Sequence, residues 1–219
     1  VLVAASIIPS APLLVPELAG AAAETADLRE AVLSAAAALP QTWIAVGVGA
    51  RDEVWGPDAA GTFAGYGVDV EVMLGPEATT QAELPLCALV TGWVRGQVRP
   101  DARARVHAVT TAPGALLRVR ADIDSHDEPV GLLVVADGCN TLTPSAPGGH
   151  DPDATGVQAA LDDALCSADT AALSALPDGV VGRAAFAVLA GLMPTPRSVG
   201  EFYRGAPFGV GYTVCVWQP

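Results

Sequence analysis

Three stretches of chain carry the polar side chains from which chemistry could be built. Ser10 lies within Pro9 to Pro16, Arg51 within Gly49 to Pro57, and Asp137, Asn140 and His150 within Asp137 to Asp153. A carboxylate and an imidazole can move protons, an amide can only hydrogen-bond, and a guanidinium can clasp a carboxylate or phosphate with its planar fork. His150 could act as a base or donate to an anionic ligand, although a backbone hydrogen bond is its simpler use. Arg51 could bind an anion or pair with Asp52, Glu53 or Asp137. No Gly-x-Ser-x-Gly elbow surrounds Ser10, so a turn or capping hydrogen bond accounts for it. Asp122, Asp124, His126 and Asp127 crowd oxygen and nitrogen donors together, which raises a divalent metal; with Glu128 and Pro129 after them, they read as a solvated turn. Cys87, Cys139, Cys166 and Cys215 form no C-x-x-C pair, which excludes a zinc knuckle and leaves buried free thiols as the expectation.

Elements must bring these stretches together. Short β-rich apolar runs recur at Val1 to Ile8, Trp43 to Val48, Val68 to Leu74, Val106 to Thr110, Val130 to Ala136 and Val210 to Trp217. Helical patterns fall between them, at Glu17 to Leu39, Thr80 to Val98, Asp153 to Ala168 and Val181 to Leu192. Thr80 with Glu83 suggests a capping box, and Asp151 or Asp153 a cap for the following helix. Alternating strands and helices predict an α/β fold: three α/β/α layers around a mixed, largely parallel sheet, in one domain over residues 1–219. In such sheets ligands bind past the carboxyl ends of strands, which is where the three polar stretches fall.

Charge and composition exclude several partners. With 24 acidic and 11 basic residues the formal charge is −13, which opposes nucleic acid and anionic membrane faces. All the basic residues are Arg, a composition that suggests a high-GC bacterial genome. Gly, Pro or charge interrupts every apolar run, and the apolar opening lacks a basic lead, so a cytoplasmic protein is expected.

Ala136-Asp137-Gly138-Cys139-Asn140-Thr141-Leu142, followed by Ala146-Pro147-Gly148-Gly149-His150-Asp151-Pro152, resembles a signature of the LigB-type class III extradiol ring-cleavage dioxygenases. Ile8-Pro9-Ser10-Ala11-Pro12-Leu13-Leu14 resembles that family's opening strand and His-x-Pro turn, and Gly209-Val210-Gly211-Tyr212 its closing strand. The resemblance implies a ferrous ion on two His and one carboxylate, with open positions for a catechol and dioxygen. It also places Ser10 where the first His belongs, Ala50 or Arg51 where the second does, and Asn140 where an acid/base His does. The family's last ligand falls around Gly179 to Gly182, near Asp178.

The resemblance therefore implies a catalytically degenerate member that has lost its iron and needs no other cofactor. It would bind a small molecule or a protein through the former cleft, with Ser10, Arg51, Asp137, Asn140 and His150 as the vestigial residues. An enzyme with changed, metal-free chemistry in the same cleft stays open, as does a ring-cleavage dioxygenase with atypical ligands. The fold also admits a homo-oligomer.

Overall fold

Apolar runs without polar alternation must be covered on both faces, and the runs Ala4 to Ile8, Trp43 to Gly47 and Val130 to Val135 are buried in this way. A computed structural model describes residues 1–20 and 23–219. The chain opens with β1 (Leu2–Ile8), α1 (Pro16–Ala19), α2 (Ala23–Ala36) and β2 (Thr42–Val48). Short strands β3 (Glu53–Trp55), β4 (Ala59–Thr62), β5 (Glu71–Met73) and β6 (Thr80–Gln81) follow. Next come α3 (Leu86–Val98), β7 (Arg103–Val109), α4 (Ala115–Asp124), β8 (Val130–Val135) and α5 (Ala154–Ser167). The chain closes with α6 (Thr170–Ser174), α7 (Arg183–Leu192), β9 (Ser198–Gly205) and β10 (Tyr212–Gln218).

Seven strands form one sheet in the order β3-β7-β2-β8-β1-β10-β9, and β5-β4-β6 form a second. β7, β2, β8 and β1 are parallel, so their carboxyl ends share one edge. β10 returns antiparallel beside β1, and β3 and β9 are antiparallel edge strands. β8, between β2 and β1, is buried throughout. Because strand side chains alternate, Leu133 and Val135 pack with Val32 and Ala35 of α2 and Val90 of α3 on one face. Leu132 and Val134 pack with Val119 of α4, Leu161 of α5 and Phe186 of α7 on the other. Each of the Val, Leu and Phe side chains among these contributes about 1.5–3 kcal/mol on burial. The architecture is α/β, in three layers around a mixed, largely parallel sheet.

Several local expectations differ from the structure. The pattern from Glu17 to Leu39 is not one helix, since α1 ends at Gly20 in a positive-φ conformation and α2 begins at Ala23. The pattern from Thr80 forms a helix only from Leu86: Pro85 occupies the cap position and disfavours helical geometry at Leu84 before it. Thr80 instead lies in β6 and donates its hydroxyl to Asp58, so no capping box forms. Val68 to Leu74 contains only the three-residue β5, in the second sheet. Asp122 and Asp124 end helix α4 rather than forming a turn, because Val119 and Ile123 supply the buried stripe that draws that helix onto the sheet. Asp153 does cap α5, without a side-chain bond; Asp151 accepts from the Asp153 N–H at 3.0 Å.

Candidate functional site at the carboxyl edge of the sheet

Sheet register assembles three residues distant in sequence. Ile8 of β1 pairs with Val135 of β8, so two residues further on Ser10 stands beside Asp137. Ile7 pairs with Cys215 of antiparallel β10, whose first residue, Tyr212, comes close enough to Asp137 to interact with it electrostatically. The Ser10 N–H donates to Asp137 Oδ1 at 2.7 Å, closing the row. Asp137 follows Leu133 and Val135 in alternation, and Tyr212 packs with the same cluster, so the row belongs to the face covered by α2 and α3.

The row is electrostatically unusual. Burial pushes the Asp137 carboxyl up to about 6, against the lowering effect of the Ser10 N–H. Burial, with Asp137 and Tyr203 nearby, likewise raises the Tyr212 phenol. No cation among the described residues forms an ion pair with Asp137. A carboxylate with one backbone donor keeps most of its acceptor capacity unused.

The turn after β8 is clamped from both sides. Asp137 and Gly138 carbonyls accept from Gly182 and Val181, at 2.8 and 3.1 Å, ahead of α7. The Gly138 N–H donates to Gly211 and the Gly211 N–H to Cys139, at 2.9 and 2.8 Å. Beneath the turn, Gln158 Oε1 accepts from the Cys139 N–H at 2.8 Å, and Gln158 Nε2 donates to Asp162 Oδ1 at 2.7 Å. The Thr213 hydroxyl donates to that same Asp162 oxygen, so the buried network is satisfied. Gly138 is required by close approach: a Cβ there would lie 2.1 Å from Gln158 Oε1.

The other candidates are distributed around this row rather than within it. Asn140 is half-buried, its carbonyl accepts from the Gly148 N–H at 2.9 Å, and its side chain lies against Gly148. His150, two residues beyond, is exposed and forms no hydrogen bond or ion pair among the described residues. Ala50 and Arg51 are exposed, and Arg51 pairs with Glu53. Their neighbour Asp52 accepts from the Thr110 N–H and hydroxyl at 2.7 and 2.9 Å and pairs with Arg118, contacts that lower its pKa. Near Gly179 to Gly182, Asp178 pairs with Arg183. Asp122 binds His107 at 2.6 Å, with Arg105 at 3.6 Å and His126 at 3.9 Å. Burial alone would raise the Asp122 carboxyl, but the hydrogen bond with His107 and the positive charge of Arg105 help to outweigh it and lower it, so Asp122 is engaged in locking α4 to β7. A cavity of about 500 Å³ opens on the opposite face, past β7, between Thr110, Leu116, Leu173 and Arg183; none of Ser10, Arg51, Asp137, Asn140 and His150 lines it.

A ferrous ion does not suit this edge. The row of Ser10, Asp137 and Tyr212 offers one carboxylate and no imidazole, whereas the facial arrangement needs two imidazoles as well. Among the described residues no group of three or more His, Cys, Asp or Glu is placed to hold a metal ion. No described helix is long and apolar enough to cross a membrane.

No family model matches the chain, and no curated protein matches it. The fold is similar to a crystal structure of an uncharacterized protein from Escherichia coli K12, at a TM-score of 0.59 and 12% identity, over 99% of this chain and 100% of that one. At that identity the likeness is one of fold: an α/β architecture shared from end to end.

Proposed function

We propose that the chain is a catalytically degenerate, extradiol dioxygenase-like protein that binds a small molecule at its former active-site edge. The ligand presents an amine or similar N–H donor to Asp137. The observation that carries this reading is the Asp137 carboxyl itself, desolvated, held by the Ser10 N–H and without a paired cation among the described residues. A desolvated carboxylate is costly until a charged donor reaches it, and a protonated amine supplies both charge and hydrogen bonds. The extradiol-like ancestry rests on the resemblance around residues 8–14, 136–152 and 209–212.

A metal-free enzyme is the second reading, favoured by the same carboxyl, since a pKa near 6 suits acid–base work. Binding is preferred because Arg51 is engaged by Glu53 and His150 stands exposed, which leaves Asp137 without a titrating catalytic partner from either.

Calorimetric titration with butylamine and benzylamine tests the proposal. Saturable binding is expected at about pH 7.5, weakened roughly tenfold by Asp137→Asn and similarly at about pH 5, where the carboxyl is protonated. Failure of both amines to bind, or equal binding by Asp137→Asn, overturns it.

A further inference from the structure

Two rows of side chains run in step between α5 and β10. Gln158, Asp162 and Cys166 recur every fourth residue along the helix, and Gly211, just before β10, is followed by Thr213 and Cys215 at every second residue along the strand. Four helical residues advance about 6 Å and two strand residues about 6.8 Å, so the rows remain matched over this length. Their contacts follow in order. Gln158 lies against Gly211, Asp162 accepts from Thr213, and Cys166 Sγ stands 3.4 Å from Cys215 Sγ. Both cysteines are free thiols; Cys215 is buried, and Cys166 is half-buried. The geometry points to Cys166 and Cys215 as a redox modification site, which a hydroperoxide converts to a disulfide that ties α5 to β10.

The sulfurs stand 3.4 Å apart and a disulfide needs about 2.05 Å, so the bond requires them to approach by about 1.4 Å. Cys166 is the attacking sulfur, being the more exposed and having the Arg204 guanidinium beside it. The hydrogen bond from Cys215, together with Arg204, lowers its pKa against burial and Glu201. The same contact, with burial, raises Cys215, which keeps its proton. The Cys166 thiolate attacks one peroxide oxygen: an S–O bond forms, the O–O bond breaks, and hydroxide leaves to become water. The Cys215 sulfur then attacks the Cys166 sulfenic sulfur; the S–S bond forms, the S–O bond breaks, and the second oxygen leaves as water with the Cys215 proton. Two thiols lose two electrons and two protons, and one hydrogen peroxide becomes two waters. The cross-link continues the same row as the Asp162 and Gln158 contacts beneath the Asp137 turn, and it is independent of any ligand there.

The test is treatment of the full chain with hydrogen peroxide, followed by non-reducing peptide mapping. A Cys166–Cys215 linked peptide is expected, about 2 Da lighter than the two thiol peptides together. Cys87 and Cys139 should stay alkylatable after unfolding, and the melting temperature should rise by several degrees and return with dithiothreitol. Cys215→Ser should accumulate a Cys166 sulfenic acid that dimedone traps, whereas Cys166→Ser should leave Cys215 reduced. The wild-type map stands alone should either variant fail to fold. A peroxide-treated wild type with Cys166 as sulfinic acid and no linked peptide, or with the link made to Cys87 or Cys139, overturns the inference.

Discussion

Replacing Asp137 by Asn should stabilise the protein at neutral pH, although it removes the residue on which the proposed ligand binding depends. An ordinary aspartate titrates at 3.8, and burial holds this one at about 6. Between those values the folded state binds a proton that the unfolded state does not, so stability falls as pH rises through the window and levels off above it. The ionised carboxyl then costs folding about 2–3 kcal/mol at pH 7, the lower value allowing for the part of Asp137 that meets solvent. Asn keeps an oxygen to accept from the Ser10 N–H and never ionises, so it escapes that cost. Urea unfolding of both proteins from about pH 4 to pH 8 reads the difference directly. The variant should match wild type near the acid end and gain through the window, the pattern of a site whose function opposes stability. A variant less stable at pH 7, or a difference that does not change between pH 4 and pH 6, would refute the assignment of Asp137 as a desolvated carboxyl.

Three further outcomes follow from the clamp and the edge. Asp162→Ala strands Gln158 Nε2 and the Thr213 hydroxyl and should cost about 2–4 kcal/mol in urea unfolding; a near-neutral result contradicts the network. Gly138→Ala sets a methyl 2.1 Å from Gln158 Oε1 and should cost about 1–3 kcal/mol, while Gly179→Ala, which meets nothing within 4 Å, should be near neutral; similar costs for both would contradict close approach as the cause. After anaerobic loading with ferrous iron, neither wild type nor Asn140→His should consume oxygen with catechol above the free-iron background, and saturable uptake by wild type would restore the dioxygenase reading.

The layers were legible because continuous apolar runs such as Val130 to Ala136 have one physical use, a strand covered on both faces. β9 was not: Ser198–Gly205 is an edge strand whose exposed residues leave no apolar run to read. Ser10 and Asp137 were both visible as residues past strand ends, but their adjacency needed the register of β1 on β8. Tyr212 reads in the sequence only as part of a closing strand, and its approach to Asp137 depends on the antiparallel return of β10. Gln158 and Asp162 carried a usable signal, polar groups four apart on the buried face of an otherwise apolar helix. Cys166 and Cys215 gave none, because cysteine spacing cannot anticipate a helix laid against a strand.

The most direct test of the binding edge is the titration of the Asp137 carboxyl carbon by NMR, in the free protein and with saturating benzylamine. The account predicts an inflection at about 6 in the free protein, absent from Asp137→Asn, that moves down by roughly one pH unit or more once the amine binds. An inflection at the ordinary 3.8, or one near 6 that benzylamine leaves in place, would contradict it.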